Sequence, residues 1–275
     1  MSREIQFVKA EEAPATKQRQ AKVEGPKYVD ITFEEGYADM RIKFEQRLTW
    51  FRALPPISGT KFPDWLLPFA IYKAPEGQNH PTFVDPSSLG IPSVWEQAKL
   101  WFLKNAKERL QNRETNPNGF KLRSTPRGIA WVITAGEDTE ADLKLLSVSL
   151  YDGKFGGTAG LGAELKKQAE ARDNEPGSPT AGQFIHGDIT DPATGRLVAV
   201  EKSTPESGDK KFASYSARIG KSPAPLQAYL DKLSDSQYDK LVPLEKTLYI
   251  PTEQEQHDLL RTYIGDEWYS KVFPN

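Results

Sequence analysis

"KLRSTPRGIAWVITA", residues 121–135, joins a cationic segment directly to an apolar one. Lys121, Arg123 and Arg127 come first, and an apolar run begins at Ile129. A short run rich in β-branched and aromatic residues, bounded by Pro and Gly, is typical of a strand that is at least half-buried. The segment therefore predicts a half-buried or buried strand at 129–135, with three cations just before it.

Other segments of the chain have the composition and length of short strands or helices. Pro, Gly, Asp or Ser bounds each strand-like segment, as is usual at strand ends. The further strands are predicted at 47–54, 69–74, 143–151, 195–203 and 211–219. Helical spacing of apolar residues predicts helices at about 93–112, 161–172, 225–241 (broken near Ser234) and 252–264.

This order predicts a mainly β protein with helical insertions, of the α+β class. Its core is expected to be an OB-fold-like five-stranded barrel with peripheral helices, because OB folds place a helix between their third and fourth strands. We divide the chain into a flexible N-terminal arm (1–28), the OB-like core (29–225, with the helical insertion at 93–112) and a C-terminal helical segment (226–275). The stretch "DITDPATGRLVAVE" predicts a hairpin that turns at Pro192–Gly195.

The composition excludes several classes of protein. The 275 residues are 37% hydrophobic and include no cysteine, which rules out disulfides, thiol catalysis and Cys-ligated metals. No apolar run approaches the roughly 20 residues of a membrane helix. The N-terminus has no apolar stretch typical of a secretory signal. We expect no cofactor, no metal and no membrane contact.

Motifs for catalysis are weak. The three histidines lie in unrelated contexts, without the spacing of a metal-binding helix. Asp188 and Asp191 are explained by a turn better than by a carboxylate pair. We therefore predict a non-enzymatic protein, and a hydrolase or nuclease that uses Asp188, Asp191 or His186 is a minor alternative.

Aromatic and cationic residues alternate along several of the predicted strands. Single-stranded nucleic acid is bound by aromatic rings that stack on bases and by Lys or Arg that contact phosphates. The candidate contact residues from this pattern are Arg47, Trp50, Phe51, Arg52, Tyr72, Lys73, Tyr151, Lys154, Phe155, Lys211, Phe212, Tyr215 and Arg218.

Strand alternation divides this set between two faces. Trp50 and Arg52 share one face of their strand, opposite Arg47 and Phe51. Each single aromatic is therefore better explained as a core residue, whereas the whole set favours a binding surface.

The order of these segments resembles the single-stranded DNA-binding (helix-destabilising) proteins of T-even-type phages. The resemblance spans roughly 44–225 and rests on "LTWFRALPP", "KLRSTPRGIAWVITA", "LLSVSLYDGKFG", "GDITDPATGRLVAVEKS" and "FASYSARI". It implies an OB-fold cleft that binds single strands without sequence preference, in replication, recombination and repair. The resemblance also implies that Lys121, Arg123, Arg127 and Trp131 are DNA-contacting residues of that cleft. Best-known members of that family hold a zinc ion through Cys and His, and this chain has no Cys, so we expect a divergent member without zinc.

The resulting hypothesis is a protein that coats single-stranded DNA in the cytoplasm of a bacterial host. Its expected partners are single-stranded DNA, replication and recombination proteins, and further copies of itself along the strand. The alternative is a non-enzymatic protein-interaction or virion structural protein with a β core. DNA or RNA preference, cooperativity and oligomeric state stay open.

Overall fold

The computed structural model of the chain describes residues 30–44, 47–73, 81–112, 115–134, 141–152, 160–175, 178–203 and 214–274. Within them, seven strands form one sheet in which every pair of neighbouring strands is antiparallel. The strands are β1 (Leu48–Ala53), β2 (Leu67–Tyr72), β3 (Phe83–Val84), β4 (Thr125–Thr134), β5 (Asp142–Ser149), β6 (Arg196–Ser203) and β7 (Ser214–Pro223).

The strand predicted from residues 121–135 is the centre of the sheet. β4 pairs with β5 along one edge, and with β2 and then β1 along the other. β1 continues the sheet to β6, and β6 pairs with β7. The sequence pattern predicted a strand here at 129–135, and the structure begins it four residues earlier, at Thr125, with burial from Gly128 to Ile133.

Alternation along β4 creates two apolar faces. Trp131 and Ile133 face a core that is covered by apolar side chains from residues 226–248. Ala130 and Val132 face the opposite core, which is covered by the helix at 161–169. The sheet is thus the middle layer, with residues 226–248 on one face and the helix at 161–169 on the other.

The described strands do not close into a barrel, because β5 and β7 are not paired with each other. A helix bridges this gap: Glu164 Oε1 accepts the N–H of Ala217 on β7, and Gln168 Nε2 donates to its carbonyl. These two side chains satisfy the backbone groups that a neighbouring strand would otherwise pair. The expectation of a five-stranded barrel is therefore corrected to an open, mixed α+β arrangement.

Six α-helices lie within the described ranges. They are α1 (Val94–Asn105), α2 (Leu161–Ala169), α3 (Gln227–Leu230), α4 (Asp235–Tyr238), α5 (Glu253–Ile264) and α6 (Asp266–Val272). Ser93, Ser234 and Thr252 each accept the N–H three residues later, as N-caps do. None of the helices in these ranges is long and apolar enough to cross a membrane.

Two sequence predictions were wrong in detail. The helix predicted to end near 112 ends at Asn105, after which a 3-10 turn and an irregular segment follow. The hairpin predicted around Pro192–Gly195 has only its second arm, β6, because residues 187–195 form turns instead of a strand. β3 and α6 were not predicted.

Residues from 226 onward, predicted as a C-terminal helical segment, have two packing partners. Residues 226–248 cover the sheet face of Trp131. α5 and α6 pack with α1 in a third apolar core, in which Trp95 stacks on Tyr263 at 5.5 Å. The predicted flexible arm, 1–28, lies outside the described residues.

Arg52 is fully buried on β1 and holds several segments together. Its Nε donates to the carbonyl of Ala224 (2.8 Å), and its Nη1 donates to those of Ala53 (2.6 Å) and Ile189 (2.7 Å). Its Nη2 donates to the carbonyl of Asp191 (2.5 Å). These bonds join β1 to the turn before β6 and to the segment after β7.

A glycine is needed beside this guanidinium. A Cβ at Gly195 would collide with Nη2 of Arg52 and would lie 2.5 Å from the carbonyl oxygen of Asp191. Gly195 also accepts the N–H of Ala224, and Pro192 accepts that of Leu226. The turn around Arg52 therefore fixes where the covering segment 226–248 begins.

We expect Arg52→Met to lower the free energy of unfolding by about 3 kcal/mol, because buried carbonyls lose their donor. Urea denaturation followed by circular dichroism measures this change. The control is Arg47→Met, whose side chain is 86% exposed and whose loss should cost less than about 0.5 kcal/mol. Equal stability of the two variants would contradict the role of Arg52.

Candidate nucleic-acid interface

One end of the sheet gathers cations from two strands and a tyrosine from a third. The register places Ile71 opposite Thr125 and Arg127 opposite Ser149, so β2 ends, β4 begins and β5 ends at the same level. We call this region the cationic end. It contains the following predicted residues, at or just beyond the strand ends: Lys73, Lys121, Arg123, Arg127 and Tyr151.

Lys73 and Lys121 are close enough to affect each other electrostatically. Partial burial, followed by the charge of Lys73, lowers the pKa of Lys121 from its usual value. The hydroxyl of Tyr263 on α5 accepts the N–H of Lys121 at 2.7 Å and fixes this backbone. Among the described residues, no carboxylate lies within 4.0 Å of Lys73, Lys121 or Arg123.

Arg127 is half-buried, and its side chain is fixed by a hydrogen bond, unlike those of Lys73, Lys121 and Arg123 in the described residues. Its Nη2 donates to Ser147 Oγ (2.9 Å) across the β4–β5 pair. Burial lowers the pKa of Arg127, while Asp30 opposes this shift and Arg41 adds to it. Arg41 itself is paired with Asp30 at 3.0 Å. Arg127 therefore has a packing role and also contributes charge to the cationic end.

A second group lies at the other end of the sheet, on β1, β6 and β7. Trp50 is opposite Ala199, which is opposite Arg218. Arg47 and Arg218 both contact Glu201, at 3.6 Å and 2.6 Å. Trp50 is 37% exposed, which is high for so large an apolar side chain. We call this group the Trp50 face.

Four predicted contact residues are buried, and their assignment is corrected. Phe51 and Trp131 belong to the two sheet cores, and Tyr72 packs in the core beneath α1. Arg52 makes the carbonyl contacts described above. None of these side chains is more than 2% exposed, so they offer no surface to a ligand.

Tyr215 lies on the opposite face of the sheet from Trp50, because it is paired with Lys202 rather than with Glu201. Its ring packs against Phe44 at 5.5 Å, although it remains 36% exposed. The other four predicted residues, Lys154, Phe155, Lys211 and Phe212, lie outside the described residues.

The residues of the hydrolase alternative lie in surroundings that favour a structural role over catalysis. Asp188 Oδ1 accepts the N–H of Thr190 at 2.8 Å, and Asp191 Oδ1 accepts that of Thr194 at 2.6 Å. Hydrogen bonds from Thr194 lower the pKa of Asp191, and burial lowers the pKa of His186. In the described part of the chain, no group of three or more His, Asp or Glu side chains could hold a metal ion.

Sequence reasoning missed two contributors to the cationic end. Arg41 belongs to a basic stretch, which was the only signal for it. Tyr263 is 142 positions from Lys121, and no local pattern connects the two. Compared with models of known protein families and with curated proteins, the sequence gives no match.

We expect Lys73→Gln to raise the pKa of Lys121, because it removes the neighbouring charge that contributes to the lowering. NMR titration of the Lys121 side chain measures this shift. Between the lowered folded pKa and the higher unfolded pKa, the unfolded chain binds the extra proton, so stability should rise with pH in that window. In the variant this rise should be smaller.

The control is Lys99→Gln, because Lys99 pairs with Glu96 on α1. It should leave the pKa of Lys121 unchanged. An unchanged pKa of Lys121 in Lys73→Gln would contradict the electrostatic coupling of the two lysines.

Proposed function

We propose that this protein binds single-stranded nucleic acid, and DNA in the first place, as a non-enzymatic coating protein. One observation carries the proposal: Lys73, Lys121 and Arg123 meet at one end of the sheet, beside Arg127. In the described residues the first three have no carboxylate partner within 4.0 Å. Phosphate groups would supply the missing negative charge.

The electrostatics of the cationic end favour an anionic ligand. Like charges held close together repel, and the pKa of Lys121 is lowered first by burial and then by this repulsion from Lys73. A phosphate near Lys121 would favour its charged form and release counterions from the nucleic acid. Tyr151, which is half-buried, lies two residues after Ser149, the residue opposite Arg127, and so adds an aromatic residue to the same end.

The strand order supports an OB-like core. Along the path β5–β4–β1–β6–β7, the first three strands in the chain are β1, β4 and β5, and α2 precedes β6 and β7. OB folds bind oligonucleotides on the face of their second and third strands, which would be β4 and β5. Residues 226–248 cover the middle of that face, so we place the contact at its cationic end.

In the cell we propose that the protein coats single strands in phage replication, recombination and repair, in the cytoplasm of the bacterial host. Replication and recombination proteins are its proposed further partners. These proposals rest on the resemblance of the sequence segments to the phage proteins.

A protein-interaction role is the second candidate, and it has one specific observation in its favour. The outer side of α1 exposes Leu100 and Leu103, which are 57% and 44% accessible. Apolar side chains grouped on a surface often mark protein contacts. This role predicts no binding of nucleic acid that depends on salt.

The test is fluorescence anisotropy with a labelled thymidine oligomer over a salt series. We expect tight binding that weakens with salt, and weaker binding of matched duplex DNA. In the triple variant Lys73→Gln/Lys121→Gln/Arg123→Gln, the log–log salt slope should fall by about 2, since each phosphate contact on a single strand contributes about 0.7. Arg127 stays intact because it bonds Ser147.

A charge-matched control separates this site from net charge. Lys99→Gln/Lys144→Gln/Lys271→Gln removes three cations that are each paired with a carboxylate within 3.0 Å. It should leave the slope almost unchanged. Equal effects of the two triple variants would contradict the cationic end as the site, and absence of binding at low salt would contradict the proposed function.

A further inference from the structure

The Trp50 face is an open part of the same sheet face that carries the cationic end. Arg52 is directly opposite Ile133, so its side chain and those of Trp50 and Leu48 point to the side of Trp131 and Arg127. Residues 226–248 cover this side at β4 and β5. On β1, however, Leu48 and Trp50 remain 44% and 37% exposed.

A row of three side chains crosses the open strands. Trp50 on β1, Ala199 on β6 and Arg218 on β7 are in register. Neighbouring strands lie about 4.8 Å apart, so Trp50 and Arg218 are separated by roughly 10 Å at the backbone. Ala199, between them, is only 2% exposed, so the surface of this row is formed by Trp50 and Arg218.

The described residues of this surface carry a net positive charge. Arg47 and Arg218 share a single carboxylate, that of Glu201. Their side chains are 86% and 72% exposed, whereas that of Glu201 is 23% exposed. A guanidinium has five N–H donors, and the one hydrogen bond found for Arg218 in the described residues uses Nη2 alone. Both arginines can therefore contact an anion without leaving Glu201.

We infer that the Trp50 face is a second contact for the same single strand, with a base stacked on Trp50 and phosphates bound by Arg47 and Arg218. This inference rests on the proposed function. An exposed indole beside surplus guanidinium charge provides both elements of single-strand binding, a stacking surface and phosphate contacts. A protein that docks on this face is the competing outcome of the test.

The two contacts are too far apart for a very short oligomer to reach both. Phe51 is opposite Thr134, and Arg127 lies seven residues before Thr134 on β4. At about 3.4 Å per residue, this separates the Trp50 face from Arg127 by roughly 24 Å along the sheet. Lys121 and Arg123 lie still farther away. A strand must therefore pass the covered middle to use both contacts.

The test is a length series of thymidine oligomers from about 4 to about 24 nucleotides, a range around the site sizes of OB folds. Wild-type affinity should rise steeply once the oligomer reaches both contacts. In Trp50→Ala/Arg218→Gln, binding of the longest oligomer should weaken by about 5- to 100-fold, the loss of one stacked base and its phosphate contact. Binding of the shortest oligomer should stay unchanged.

Three controls make the result specific. Trp50→Phe keeps an aromatic ring and should retain most of the length dependence. Leu100→Ala/Lys144→Gln removes an exposed apolar side chain and a paired cation elsewhere, and should retain all of it. The Lys73/Lys121/Arg123 variant should weaken the short and the long oligomers alike. Circular dichroism checks that every variant is folded.

The outcomes separate this inference from the proposed function. Unchanged length dependence in Trp50→Ala/Arg218→Gln would overturn the second contact while the cationic end remained in place. Equal weakening of the short and the long oligomers would overturn it as well. If no oligomer binds to the wild-type protein, both proposals fail.

Discussion

The buried guanidinium of Arg52 is the interaction on which the arrangement of this protein depends. It bonds carbonyls of β1, of the turn before β6 and of the segment that follows β7. Burying an arginine is costly unless its donors are satisfied, and carbonyl oxygens at four positions meet this requirement. The bare backbone of Gly195 leaves the necessary space.

The contacts of Arg52 divide one face of the sheet into a part covered by residues 226–248 and a part that stays open. Leu226, the first buried residue of the covering segment, is held by Pro192 in the turn that Arg52 contacts. From there the chain covers β4 and β5, while Trp50, two residues before Arg52, remains accessible. Arg52 thus anchors the start of the segment that buries Trp131, while Trp50 on the same face remains accessible.

The cationic end has a different physical origin. Antiparallel register brings the end of β2 to the start of β4, so Lys73 reaches the neighbourhood of Lys121 although the two are far apart in the chain. The fold thereby concentrates charge on a protein whose net charge is only −2. Local fields of this kind attract polyanions even when the whole molecule is nearly neutral.

The sequence predicted those features that depend on local pattern. β4 and the helices that begin after Ser93 and Thr252 follow from spacing and residue type, and all are present. The open gap between β5 and β7 was not predictable, because it is bridged by side chains of α2 that any solvated helix could carry.

It was harder to predict which candidate residues are buried and which are exposed, because burial also depends on contacts between distant parts of the chain. Arg47 and Arg52 look alike in the sequence, yet one is exposed and the other fully buried. The difference depends on the backbone carbonyls that accept hydrogen bonds from Arg52, and these belong to residues 137 to 172 positions away in the chain. The contact of Tyr263 with Lys121 is equally non-local.

Photocross-linking is the measurement that tests the central claim most directly. A single-stranded oligomer carrying 5-iododeoxyuridine would be irradiated with the full chain at low and at high salt, and the linked peptides identified by mass spectrometry. The account predicts salt-sensitive cross-links in peptides that contain residues 121–127 or Tyr151, and in those that contain Trp50. Cross-links confined to the α5–α6 region, or cross-links that do not change with salt, would contradict it.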